Sequence, residues 1–386
     1  MNEADQLVIT PVSSFRQMSL FIRLPRLLYA GLPGYVPPLD MEQKDLLHPR
    51  KTAFFRHGRA RYFLAMRAGK PVGRISAQVD DLAIETLGEN IGFFGALDAV
   101  DDASVVSALL DAACAWLRRQ GMDTARGPFT LNANGELGMM IEGHRAPPMI
   151  AMPWHPHWLP PLVEACGFAK AMDFVAYQME TGPGAEQAHL VPSGLRLGEG
   201  RLGSITTRGI RRRQIAEDGE ILRRLYNDAW RNNWGFVPLT QDEMTGMIRQ
   251  MRPILKSEHF VLIEQDGEPV AVALVVPNLY DIAGDLGGAP TPLGWVKLAE
   301  RLVRHRFHSA RVILLGVSSK LEGTALGAIM PAQAIAELMR RGRSLPYRMV
   351  EMGWILETNL PMRRLIERLA PEPCKRYRVY DRVLGR

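Results

Sequence analysis

Cysteine is scarce in this chain: its 386 residues include three, Cys114, Cys166 and Cys374. Three thiols exclude a disulfide framework and a four-thiolate zinc site. Their settings (AACAWL, EACGF and EPCKRY) do not read as activated thiols, and such sparse use suits the reducing cytoplasm. No run of about 18 apolar residues occurs, so no segment reads as membrane-spanning. The opening MNEADQLVIT lacks the basic-then-apolar order of a signal peptide. A Walker loop, HExxH and GxSxG are all missing. One GxGxxG match, Gly198 to Gly203, has no apolar strand before it and no helix after it, so it reads as linker. His144, His155 and His157 lack an acidic or Cys partner at zinc-like spacing, so they read as loop residues and no metal is expected.

Charge of one sign is also limited. Lys and Arg number 47 against 41 Asp and Glu, a net +6. That favours anionic partners such as a phosphate-bearing cofactor or an acidic membrane surface, and falls far short of a nucleic-acid-binding arm. Arg211, Arg212 and Arg213 read as a solvated face or a peripheral membrane contact. A hydrophobic content of 47% excludes disorder. At about 150 residues per domain, two domains are expected.

Residues 181–204 are rich in Gly and Pro, without periodicity, and read as the connection between two halves. The first half reads as a strand, LVITPV; a helix, SSFRQMSLFIRLPRLLYAG; and a hairpin turning at Ala68-Gly69. Ser13 or Ser14 caps that helix, Gly31 stops it, and Pro25 is expected to kink or divide it. A strand, NIGFFGALDAV, then leads to a helix whose apolar positions Val105, Val106, Leu109, Leu110, Ala113 and Leu117 recur at helical spacing. The second half repeats the order. Helices precede a strand pair turning at Gln265–Gly267; RVILLGVSS, a helix, YRMVEMGWIL, NLPMRRLIERL and KRYRVYDRVL follow. Such duplication predicts mixed sheets covered by helices.

The order hairpin, strand, glycine-containing turn, helix, strand, helix, strand resembles the GNAT family of N-acetyltransferases, in two copies over nearly the whole chain. The resemblance implies an α/β (α+β) chain of two tandem domains, residues 1–180 and 205–386, each a mixed, mostly antiparallel sheet covered by helices. That family carries Arg/Gln-x-x-Gly-x-Gly/Ala after its fourth strand. Here Lys320-Leu-Glu-Gly323-Thr324-Ala325 follows RVILLGVSS. Small residues let main-chain N–H groups close on a diphosphate, the helix N-terminus adds a favourable dipole, and Lys320 supplies charge. Lys in place of Arg/Gln departs from the pattern, and so does Pro331, which would displace the site if the helix began there. The matching turn of the first half, Ala99 to Ser104, has Asp101 and Asp102 and no glycine, so coenzyme A is assigned to the second half.

The resemblance further implies acyl transfer from acyl-CoA to an amine. A carboxylate or an ordered water must accept the amine proton, and Glu351 and Glu357, which flank the predicted fifth strand with Glu351 nearer its interior, are the candidates. Amides near a bulge at Leu315, Gly316 and Val317 would meet the thioester oxygen, and Tyr377 or Tyr380 would protonate the leaving thiolate. Asn359 fits either a bond to the cofactor arm or a helix N-cap. Asn132, Asn134 and Glu136 in LNANGELG would share one face if extended and could position the acceptor; an Asn-Gly turn is the other reading. Trp234, with Trp230 and Phe236, fits an apolar channel wall or a packed helix end.

The segments LYAGLPGYVPPL, NWGFVPLT and ILETNLPMRRLIERL…KRYRVYDR resemble a group that includes the bacterial ceramide synthases. That implies a long-chain acyl donor and the amine of a sphingoid base. Another amine acceptor, or a non-catalytic acyl-CoA or lipid sensor, stays open. A tandem aminoacyl-tRNA transferase would need a helical insertion and a broad basic face, and neither is evident.

Overall fold

The computed structural model describes residues 6–181 and 205–385. Apart from Thr181, the expected linker and its GxGxxG match lie outside the described residues. The chain runs β1 (Leu7–Pro11), α1 (Phe15–Leu28), α2 (Asp40–Leu46), β2 (Gly58–Arg67), β3 (Lys70–Asp80), α3 (Asp81–Leu87), β4 (Ile91–Ala99), α4 (Ala103–Arg119) and β5 (Thr124–Gly127). It continues β6 (Met139–Glu142), α5 (Leu159–Ala165), β7 (Ala169–Glu180), β8 (Ile205–Arg208), α6 (Ile215–Trp230), α7 (Gln241–Met251), β9 (Phe260–Gln265) and β10 (Glu268–Pro277). It closes with α8 (Tyr280–Ala283), α9 (Pro292–Val303), β11 (Ser309–Val317), α10 (Ala325–Gly342), β12 (Met349–Leu356), α11 (Leu360–Ile366) and β13 (Pro373–Val383).

Contacts divide the chain into two compact units. One comprises the described residues of Met1–Phe174, Ala283–Trp295 and Lys375–Arg386; the other comprises those of Val175–Ile282 and Val296–Cys374. In the first unit β1 to β4 form an antiparallel series, β5 adds in parallel to β4, and β13 adds antiparallel to β5. In the second, β8 to β11 are antiparallel, β12 adds in parallel to β11, and β7 from Val175 lies beside β12. The two units thus share one strand plan. The last strand of the chain, from Lys375, groups with the first unit.

Local chemistry explains the elements. Ser14 and Gln17 form a reciprocal capping box at the start of α1. Pro25 does not divide the helix: α1 runs through it from Phe15 to Leu28. A proline ring leaves the carbonyl four residues earlier without its helical donor. That carbonyl is Phe21 C=O, and the Arg74 guanidinium donates to it at 2.7 Å. The β2–β3 turn carries Ala68 and Gly69 at positive φ, as the hairpin signal requires. The six apolar positions read on α4 are buried against the sheet, the Val and Leu side chains each stabilising by on the order of 1.5–3 kcal/mol relative to exposure and Ala113 by less.

Candidate active site

In a parallel pair that diverges, main-chain groups on the inner edges lose their strand partners and become available to an extended ligand. In the second unit the β11–β12 ladder runs from Ser309↔Met349 to Val312↔Met352, and both strands then continue unpaired with each other, to Val317 and Leu356. On its other side β11 stays registered with β10 to Val317↔Ala271. The Ser318 N–H donates to Val270 C=O at 2.8 Å. Bonded pairs alternate in an antiparallel ladder, so Leu315 and Val317 turn their N–H and C=O groups away from β10, to the side where β12 has diverged. The register shift of β11 lies at Ile313, between Leu314 and Val312, two residues before the expected bulge at Leu315–Val317. Gly316 carries no side chain, and a Cβ there would come within 3.3 Å of Ala229 Cβ on α6.

The strand-to-helix turn follows. Ser319–Leu321 form one 3-10 turn, Gly323 adopts φ +73° in open space, and Thr324 caps α10. The helix starts at Ala325 although Pro331 lies within it, so the strand-to-helix turn falls at Gly323–Ala325 and not at Pro331. The Thr324 hydroxyl accepts the Gly327 N–H at 3.0 Å, while Gly323, Thr324 and Ala325 are exposed. Lys320, also exposed, pairs with Glu268 at 2.7 Å.

A carboxylate absent from the sequence reading organises this turn. Asp228 on α6 accepts the Ser319 N–H at 2.7 Å, the Ser319 hydroxyl at 2.6 Å and the Ser318 hydroxyl at 3.0 Å, and pairs with Arg231 at 2.7 Å. Burial would raise this carboxyl, but the Ser319 and Ser318 donors and Arg231 together hold it below the usual carboxylate range. Two residues on, the Trp230 indole donates to Leu315 C=O at 3.3 Å, and the Tyr226 ring packs at a tilt against Trp230 and Phe236. Trp230 therefore borders the diverging strands; the partly buried Trp234 lies in the α6–α7 turn.

Glu351 is buried on β12 and registers with buried Arg311 on β11, one pair before the ladder ends. Arg311 also donates to Gly353 C=O at 3.0 Å and stacks on Trp354. Glu357 is half-buried in the turn before α11, and its carbonyl accepts from Arg363 at 3.0 Å. Asn359 caps α11: its Oδ1 accepts the Met362 N–H at 3.2 Å. The cap holds the side-chain oxygen and leaves the amide NH₂ available as a donor.

The first unit differs at each point. Its β4–β5 ladder ends at Phe93↔Arg126, and the Phe129 N–H then donates to Phe94 C=O at 2.8 Å. Further along β4, the Ala99 N–H donates to the Tyr29 hydroxyl at 3.0 Å, and Ala99 C=O accepts from Trp158 at 3.1 Å. Asp102 closes the N-terminus of α4 by accepting the Ser104 N–H at 2.8 Å and the Val105 N–H at 3.3 Å, and pairs with Arg67 at 2.7 Å. Arg67, then Ser104, hold its carboxyl well below the usual range.

Residues 130–136 are not extended. Thr130 N–H donates to Glu136 C=O at 2.8 Å, and Asn132 Oδ1 accepts the Asn134 N–H at 3.2 Å. The Asn-Gly turn therefore holds, and the expected single face of Asn132, Asn134 and Glu136 does not form. Tyr377 and Tyr380 lie wholly buried on β13, which groups with the first unit, whereas Glu351 and Gly323 belong to the second. The corresponding strand of the second unit, β7, presents Tyr177, whose hydroxyl donates to Glu367 at 2.8 Å and accepts from Arg363 at 3.2 Å.

Arg208 and Arg211 both bind the buried Asp218, at 3.0 and 2.8 Å, whereas Arg212 and Arg213 of the expected basic patch are exposed. His155 Nδ1 accepts the Met140 N–H at 3.2 Å, a structural task. Among the described residues, no group of His, Cys, Asp and Glu is gathered as for a metal ion. No described helix is long and apolar enough to cross a membrane.

No family model matches the sequence. Among characterised proteins, the chain is 36% identical over 380 residues to the bacterial ceramide synthase of Caulobacter vibrioides, covering 98% of each. The chain belongs to that acyltransferase family. It is also 36% identical over 367 residues to Protein YghO of Escherichia coli, covering 95% of this chain and 93% of the relative. Among solved structures, a tandem GNAT protein from the clavulanic acid biosynthesis pathway superposes with a TM-score of 0.58 at 14% identity over 99% of each chain. The ceramide synthase relative thus carries the family, and the tandem GNAT likeness carries the fold, as read from the sequence.

Proposed function

We propose that the second unit binds a long-chain acyl-CoA and passes its acyl group to the amine of a sphingoid base. The observation that carries this reading is the contrast between the two strand-to-helix turns. In the first unit, the anion-binding end of α4 already holds the Asp102 carboxylate. In the second, neutral Thr324 takes only the Gly327 N–H. Gly323 and Ala325 are left exposed at the positive end of α10.

On this reading the diphosphate lies at Gly323–Ala325 with Lys320 beside it. The pantetheine arm runs along Leu315–Val317, and Asn359 donates its amide NH₂ to it. Acyl-CoA supplies the activated acyl carbonyl. Leu315 and Val317 offer N–H donors to an oxygen gaining charge, and Glu351 takes the proton from the amine. The Asp228 clamp keeps the Ser318–Lys320 turn in one conformation and so acts as a positioning group. The sphingoid acceptor follows from the named activity of the Caulobacter relative, and the setting we propose for it is the cytoplasmic face of a membrane.

The test is release of coenzyme A from a long-chain acyl-CoA in the presence of a sphingoid base, a short alkylamine, or no amine. Release that requires the sphingoid base supports the reading. Tight acyl-CoA binding without release for any amine would instead support a lipid sensor.

A further inference from the structure

The α9 helix was not read from the sequence, and it carries apolar side chains that face solvent. Leu293, Val296 and Val303 are 81%, 68% and 85% exposed, and Trp295 is 38% exposed. Spacings of three and seven residues put Leu293, Val296 and Val303 on one stripe, while Leu298 faces the interior. Singly scattered apolar residues on a surface need no explanation, but four on one helix do.

The residues leading into α9, from Ala283, group with the first unit. The segment entering α9 is anchored there: Asp40 N–H donates to Gly288 C=O at 2.8 Å. A Cβ on Gly288 would come within 2.8 Å of Pro38 O and 3.5 Å of Arg26 Cδ. Beside the anchoring residues Arg26 and Asp40, Leu27 and Met41 are themselves exposed. From Pro292 to Phe307 the sequence holds one carboxylate, Glu300, against Lys297, Arg301, Arg304 and Arg306. Arg301 turns inward to Ile282 C=O at 2.8 Å, and Glu300 engages Arg304 and Arg306 at 3.0 and 3.1 Å.

We infer that the exposed face of α9 is a docking surface for an anionic bilayer. Leu293, Trp295 and Val296 enter the boundary between headgroups and acyl chains, and the cations flank them. An exposed Trp suits that boundary, because its ring is apolar and its N–H polar. Excess positive charge around an apolar stripe complements anionic lipid. A symmetric contact with a second copy would set the same cations against each other. The acyl-transfer reading gives such docking a purpose but is not needed for it.

The test is flotation of the full chain with vesicles of phosphatidylcholine alone and of phosphatidylcholine mixed with phosphatidylglycerol, with no acyl-CoA or amine present. The protein should float with the mixed vesicles and bind more weakly as salt rises. The triple variant Leu293→Ser, Trp295→Ser, Val296→Ser changes only exposed side chains. With its circular dichroism unchanged, it should lose about tenfold or more in partitioning. Lys297→Glu with Arg304→Glu should weaken binding to the mixed vesicles selectively. Absence of flotation, equal flotation of the triple variant, or a dimer held by these three side chains and insensitive to lipid would each overturn the proposal. Because no substrate is present, none of these outcomes bears on acyl transfer, and a failure of acyl transfer would not alter them.

Discussion

Asp228 on α6 accepts the main-chain N–H of Ser319 at 2.7 Å, across 91 residues of sequence. That bond ties the helix bordering the diverging strands to the turn that opens α10. Asp228→Ala should leave Ser318 and Ser319 without their acceptor and loosen the turn. The expected outcome is a rise of about tenfold in the Kd for coenzyme A, in line with one lost charge-assisted contact. Titration calorimetry reads it, and Asp228→Asn, which keeps an acceptor, should recover part of the loss.

Asp102→Ala tests the other turn. It removes the cap of α4 and the partner of Arg67, so stability should fall by about 1 kcal/mol, as for other N-caps. Urea denaturation would show this, with coenzyme A affinity unchanged.

Asn359 has two roles that can be separated. Asn359→Ala should cost about 1 kcal/mol of stability through the lost cap as well as weaken acyl-CoA binding. Asn359→Asp keeps the cap acceptor and removes the NH₂ donor. Its melting temperature should match the parent while its KM for acyl-CoA rises, and steady-state kinetics beside thermal melts would distinguish the two effects.

Glu351→Gln preserves shape and removes the proton acceptor. Single-turnover acyl transfer should slow by roughly a hundredfold or more, with acyl-CoA binding retained. Replacement of Glu357 should have a much smaller effect, since it lies in the turn outside the strand.

Stability should also depend on pH through His259 and His305. Lys256 N–H donates to His259 Nδ1 at 2.7 Å, so Nε2 carries the proton and bonds the Tyr347 hydroxyl. Burial, with His305 nearby, pushes His259 down to about 3, and burial with Lys256 pushes His305 down to about 4, both from 6.5. The unfolded chain therefore binds more protons between these values. The stability is fully present above pH 6.5 and declines as pH falls towards 4. Urea denaturation at pH 7 and pH 5 should show a smaller decline for His259→Asn than for the parent.

Much of this organisation was legible because it is local. The periodicity of Val105 to Leu117, the Ala68-Gly69 turn and the Lys320–Ala325 turn each state their geometry within a few residues. What was not legible depends on distant partners. Pro25 reads as a break until Arg74 supplies the missing donor to Phe21 C=O. Asp228 carries no local signal, because its role depends on the turn at Ser319, 91 residues away. Tyr377 reads as part of the second half, because nothing in KRYRVYDRVL states that this strand registers with β5 and β6. The segment 130–136 alternates like a strand, yet hydrogen bonds within the segment close it into a turn.

Titration of coenzyme A into the full chain, Lys320→Glu and Asp101→Ala, each confirmed as folded, tests the assignment of the diphosphate most directly. Binding weakened tenfold or more by the charge reversal and unchanged by Asp101→Ala is the result expected from an open turn at Gly323 and a closed one at Asp102. Binding that survives Lys320→Glu and is altered by Asp101→Ala would place the cofactor in the first unit and contradict it.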